Sequence, residues 1–152
     1  MRFVRITLSS ALASALFASI ASAQAAGLSP TIVHVDLMDP SSGPSIKSMM
    51  LKADQTTVKA GPVKFLVSND SKTLVHEMIV VSVANPNVAL PYDKKDGRVI
   101  ESKIKDLGEA SDLPPQTKKT LTLTLKPGDY ILMCNQPDHY KNGMRVNLTV
   151  TR

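Results

Sequence analysis

The sequence predicts an all-β fold, an antiparallel β-sandwich of seven or eight strands with one short helix in the segment 85–116. Three observations carry this expectation. Short runs rich in β-branched and other apolar residues recur along the chain, and clusters of Pro, Gly and Asn separate them. One run, Leu121-Thr122-Leu123-Thr124-Leu125, alternates strictly, with the two-residue period of a strand that is wet on one face and dry on the other. A length of 152 residues suits one domain and is too short for a two-domain enzyme.

Ahead of the first strand, residues 1–23 read as a cleavable secretory signal. Arg2 and Arg5 give a positive start, Ile6 to Ile20 is an apolar and small-residue run, and Ala21-Ser22-Ala23 supplies the small-x-small pattern at which such leaders are cut. A retained membrane anchor is the weaker reading. Ser9, Ser10, Ser14 and Ser19 interrupt the run, which falls short of the roughly 20 apolar residues that span a bilayer. No Arg-Arg pair is present, so export in the unfolded state is expected, and no Cys stands near the cut, so a lipid anchor is not. Residues 24–30 then form a short arm and 31–152 the folded domain, for a protein expected in the periplasm as a monomer.

Within that domain Thr31 to Met38 is rich in β-branched residues and is stopped by Pro40, Gly43 and Pro44. Ile46 to Leu51, Thr56 to Lys59 and Val63 to Ser68 follow as short strands, the last two parted by Ala60-Gly61-Pro62. His76 to Val83 is apolar on both phases, as expected of a strand covered on both faces. After Leu121 to Leu125, the turn Lys126-Pro127-Gly128-Asp129 leads back into a hairpin partner from Tyr130 to Cys134. The last strand is Met144 to Val150, with Met144, Val146, Leu148 and Val150 on its core-facing phase. Asn85 to Gln116 is long, polar and Pro-bearing. Within it Ile100, Ile104 and Leu107 fall at helical spacing, and Gly108 is placed to stop a short helix.

Composition excludes several classes of function. Setting the leader aside removes two arginines and no acids from the net +5, and the weak positive balance that remains is interleaved with acids, as in Asp93-Lys94-Lys95-Asp96. Phe65, Tyr92, Tyr130 and Tyr140 are the only aromatics left, so neither the basic stripe nor the stacking platform of a nucleic-acid binder is present. The single Cys134 excludes an intrachain disulfide and any zinc site with two or more thiolates. The three histidines, His34, His76 and His139, are too few for a multi-metal oxidase centre.

The informative stretch is Cys134-Asn-Gln-Pro-Asp-His139-Tyr-Lys-Asn-Gly-Met144, which is C-x4-H-x4-M between two strands. One connection can therefore point a thiolate, an imidazole and a thioether at one place. A second imidazole must come from elsewhere, and His76, opening the most apolar strand, competes only with His34, which shares a phase with Asp36 and reads as a surface residue. Two nitrogens, a thiolate and a thioether select copper by softness, because the sulfurs favour Cu(I) and imidazole serves both oxidation states. Zinc would accept the Cys and both His but gains little from Met. Met78 shares the face of His76 and reads as packing beneath it. Met49, Met50 and Met133 read as core fillers, and with Met38 they show no M-x-x-M cluster for a Cu(I) site. A Cys134/His139 nucleophile pair lacks an orienting third group, and Asn147-Leu148-Thr149 fits the glycosylation pattern but lies within a strand.

Leu74-Val-His76-Glu-Met78-Ile-Val together with the C-x4-H-x4-M segment resembles the small periplasmic cupredoxins related to azurin and plastocyanin. The resemblance covers about the whole chain after the leader. It implies a Greek-key β-sandwich with one copper ion at one end, held by His76, Cys134 and His139 as equatorial ligands and Met144 as the axial one. It also implies a one-electron carrier rather than an enzyme, with His139 near the surface as the exit toward a cytochrome, oxidase or reductase. The alternative is a copper-handling protein serving tolerance, buffering or delivery to a copper-accepting protein. The chain departs from the family at Asp138, where many members have Gly; a carboxylate there is expected to hydrogen-bond His139, change its exposure or repel acidic partners. Pro137 has no N–H to give the thiolate.

Overall fold

The computed structural model describes residues 29–45 and 47–152; the expected signal at 1–23, most of the arm and Ile46 lie outside the described residues. Among the described residues eleven strands run in the order β1 (Thr31–Met38), β2 (Met50–Ala53), β3 (Thr57–Lys59), β4 (Gly61–Asn69), β5 (His76–Val83), β6 (Tyr92–Asp93), β7 (Arg98–Val99), β8 (Lys105–Leu113), β9 (Lys118–Leu125), β10 (Gly128–Met133) and β11 (Arg145–Thr151). Two sheets form the sandwich, one ordered β2-β1-β4-β9 and the other β3-β11-β10-β5-β8, while β6 and β7 pair as a separate small ribbon. The sheets are mixed, not purely antiparallel, because β1 runs parallel to β4 and β3 parallel to β11. No helix among the described residues is long and apolar enough to cross a membrane.

Alternation places the core. Val33, Val35 and Leu37 of β1, Val63, Phe65 and Val67 of β4, and Tyr130 and Leu132 of β10 face one another between the sheets, and Cys134, Met144, Leu148 and Val150 continue that layer. In β9 the leucines point inward and the threonines outward, as the two-residue period requires.

The short helix expected near Ile100–Leu107 is replaced by a three-residue 3₁₀ turn, Glu101–Lys103, followed at once by β8. Ile104, at the end of the turn, packs in the outer cluster and Leu107 of β8 against the inner core, so residues spaced like a helical stripe separate to opposite faces of the second sheet. Gly108 does not end a helix. It holds a φ of 142°, and a Cβ there would lie 3.1 Å from Leu123 Cδ2, so glycine lets β8 close against β9 at the sandwich edge.

The excursion before β8 also has a structural role. Leu90, Val99, Tyr92 and Ile104 lie over Ile79, Val81, Ile131 and Met133, the outward-facing residues of β5 and β10, and make a second apolar cluster with Tyr140. This explains why β5 is apolar on both phases. One face meets the other sheet, and the other meets the excursion.

Candidate metal centre

Three donors converge at one end of the sandwich. His76 opens β5, Cys134 follows the last residue of β10, and His139 sits in the loop that returns to β11. The loop is closed at its base by Cys134 N–H donating to Met144 O at 3.0 Å and Met144 N–H donating to His139 O at 3.0 Å. Asp138, in the left-handed region at φ 63°, and Gly143 at φ 99° supply the reversals that fold residues 134–144 into so tight a connection. His139 and Cys134 are thereby brought to one side, with His139 Nδ1 3.3 Å and His76 Nδ1 4.0 Å from Cys134 Sγ. The two Nδ1 atoms are 3.1 Å apart. All three ligand atoms lie within 4.8 Å of one another. His34, the competitor for the second imidazole, is exposed on β1 and is not part of this cluster.

Burial grades the three. His76 and Cys134 are fully buried, whereas His139 retains 8% exposure, so it is the donor that solvent or a docked protein reaches first. Met144 is fully buried on the core-facing phase of the strand that follows, and Met78 is fully buried in the same inner cluster as Cys134 and Met144. Of the methionines read as core fillers, Met133 is buried in the outer cluster, Met49 packs on the inner core, and Met50 is exposed instead.

The electrostatics suit a cation. Burial pushes the Cys134 thiol up to about 12, although backbone hydrogen bonds from Gln136 and Glu77 pull the other way. Burial, and then the neighbouring His76, lowers His139 to about 4. Burial also lowers His76, against the pull of Asp39. Both imidazoles are therefore neutral at pH 7 with lone pairs available, and the thiol waits for a positive charge to release its proton.

Segment 90–101 clamps the loop from outside. Asn135 Oδ1 accepts from Val99 N–H at 2.6 Å, while its amide donates to Val99 O at 3.0 Å and to Glu101 Oε1 at 2.8 Å. Arg98 donates to Asn135 O at 2.7 Å, and Asp138 N–H donates to Gly97 O at 2.7 Å. Leu90 N–H donates to the Tyr140 hydroxyl at 3.1 Å. Asp138 does not hydrogen-bond His139 as expected from the sequence; its carboxylate accepts from the Tyr92 hydroxyl at 2.8 Å and fixes the outside of the loop. Glu77, next to His76, accepts from Asn135 N–H at 3.1 Å, and burial together with Glu109 raises its carboxyl to about 7. Asn135→Ala would strand the backbone groups of Val99 and is expected to lower unfolding stability by about 2 kcal/mol, measured by urea denaturation of the metal-free protein.

Sequence reasoning missed Asp39, Glu77, Arg98 and Asn135. Asp39-Pro40-Ser41 carries a turn signal alone, and the strong partners of the others lie 34 to 58 residues away.

No protein-family model matches the chain. No curated protein matches it. Among solved structures, auracyanin from Roseiflexus castenholzii is 21% identical with a TM-score of 0.56, covering 83% of this chain and 100% of its own. Auracyanin A from Chloroflexus aurantiacus, described as a blue copper protein, is 22% identical with a TM-score of 0.55, covering 81% and 100%. Rusticyanin from Thiobacillus ferrooxidans is 21% identical with a TM-score of 0.51, covering 79% and 76%. The fold is cupredoxin-like. Its His76, Cys134 and His139 stand together as a candidate copper site, and the sandwich expected from the sequence is present, with the parallel pairings and the 3₁₀ turn as departures.

Proposed function

We propose that the chain is an exported, single-domain type 1 copper protein that carries one electron between redox partners, and that it is not an enzyme. The observation that carries this is the meeting of one buried thiol and two neutral imidazoles, with donor atoms within 4.8 Å of each other, on a rigid β-scaffold. Two His and one Cys with a weak axial Met is the donor set of blue-copper centres, and similarity of fold to proteins described as copper proteins supports the choice of metal. His76, Cys134 and His139 would hold the ion as equatorial ligands and Met144 as the axial one. Copper held there supplies a Cu(II)/Cu(I) couple.

The chain's own residues supply the rest. The base of the loop, tied at Cys134 and Met144, and the clamp from segment 90–101 keep the donors in place whichever oxidation state they serve. Burial of Cys134 excludes water and competing oxidants from the thiolate. His139, at 8% exposure, leads outward, and exposed Leu74 and Val75, directly before His76, give an apolar surface for a docking cytochrome, oxidase or reductase. In this reading residues 1–23 direct the chain to the periplasm, 24–30 are an arm, and 31–152 act there as a monomer without nucleic acid or membrane anchor.

The test is copper addition followed by redox cycling. An intense visible absorption and rapid electron exchange with a cytochrome, with copper retained, are expected; a colourless Cu(II) complex sinks the reading. Transfer of the ion to a copper-accepting apo-protein, with slow electron exchange, would make the chain a copper handler instead. Met144→Leu is expected to keep copper while shifting the visible band. Uptake has a proton signature as well. Above pH 8, where Glu77 is ionised and His139 already neutral, one proton should leave Cys134 per ion bound. Apparent affinity then rises about tenfold per pH unit until the thiol itself ionises, measured by titration against a competing chelator.

A further inference from the structure

Asp39 directly follows β1 and is 1% exposed. One carboxylate oxygen accepts from Ser41 N–H at 2.6 Å, capping the short 3₁₀ turn Pro40–Ser42, while the Ser42 hydroxyl accepts from Asp39 N–H at 3.1 Å. The other oxygen lies 3.3 Å from His76 Nε2. Capping needs only the first contact, and Asn or Ser would serve it as well as Asp. Among the described residues no Lys or Arg forms an ion pair with Asp39. A buried carboxylate without a cationic partner is costly, and the contacts that offset that cost here are the Ser41 N–H on one oxygen and the His76 ring on the other.

We propose that Asp39 is a positioning residue of the metal centre, holding His76 by its Nε2–H so that Nδ1 offers its lone pair toward Cys134 and His139, and favouring the dipositive over the monopositive ion by its buried charge. The inference rests on the copper-carrier reading. A histidine that gives one ring N–H to a carboxylate is fixed in tautomer and orientation and becomes a more basic ligand. Charge arithmetic points the same way. The Cys134 thiolate and Asp39 together bring two negative charges, which Cu(II) neutralises and Cu(I) leaves one short. When a reduced partner protein donates one electron and is itself oxidised, the buried centre acquires that uncompensated charge, so Asp39 holds the potential down.

Two variants separate this from capping. Asp39→Asn keeps the cap and an acceptor for His76 but removes the charge; at a fixed ambient potential the reduced-to-oxidised ratio is expected to rise about tenfold, equivalent to about 59 mV for one electron. Asp39→Ser keeps the cap but cannot reach His76. In metal-free protein, nitrogen-15 multiple-bond NMR should show His76 protonated at Nε2 in the wild type and Asp39→Asn and distributed over both tautomers in Asp39→Ser. Copper affinity of Asp39→Ser should fall about 10–100-fold. A reduced-to-oxidised ratio unchanged within twofold in Asp39→Asn, or an unaltered tautomer in Asp39→Ser, overturns the proposal. A wild type lacking the visible thiolate absorption defeats the copper reading instead, and the metal-free NMR result still judges Asp39.

Discussion

Cys134→Ser is expected to abolish the visible absorption of the copper-loaded protein and to weaken copper binding by more than about 100-fold, beyond what losing the partner of a ligand costs. The reason is chemical, since the substitution is close to isosteric. A hydroxyl does not ionise near neutral pH, is harder than a thiolate, and offers no filled sulfur orbital from which charge moves to Cu(II). The fold should survive. Cys134 is fully buried in the inner layer, but His139 Nδ1 lies 3.3 Å from its sulfur and can partner a hydroxyl in its place. Urea unfolding of the metal-free variant should therefore stay within about 1.5 kcal/mol of the wild type. Absorption spectroscopy and chelator competition decide the matter: a Cys134→Ser protein that keeps the band and the affinity removes Cys134 from the centre.

The difference between Cys134 and Asp39 shows what a sequence can carry. Cys134 and His139 fall in one loop between a strand that follows a Pro-Gly turn and a strand that alternates, so their approach follows from local geometry alone. His76 was accessible through its place at the head of a doubly apolar strand and through the scarcity of imidazoles. Asp39 meets His76 across 37 residues, and Asn135 meets Val99 across 36. Nothing local encodes those encounters; they follow from the parallel pairing of β1 with β4 and from the path of the excursion, neither of which has a periodic signature. The same blindness produced the helix expected at Ile100–Leu107. Three apolar residues at helical spacing are indistinguishable, in one dimension, from those of a short turn and the strand after it that pack on opposite faces of a sheet.

That two-faced burial sets up the largest expected stability change. In a bare sandwich Ile131 would point to solvent, because Tyr130 and Leu132 take the inner phase of β10. Here it is fully buried under the excursion, together with Ile79, Val81, Leu90 and Val99. Ile131→Ala should therefore behave as a core truncation and cost about 2–5 kcal/mol, the range for buried Ile, Leu or Met, a large share of the 5–15 kcal/mol typical of a domain. Val146→Ala, half-buried on the neighbouring strand, should cost clearly less. The cavity left by Ile131→Ala lies outside the inner layer that holds Cys134 and Met144, so the copper band of the folded variant should keep its position while the denaturation midpoint falls. If Ile131→Ala is as stable as the wild type, the excursion rests on the sheet without stabilising it. A band that moves with an unchanged midpoint would instead mean that the excursion acts on the metal site alone, through Asn135 and Asp138 rather than through apolar cover.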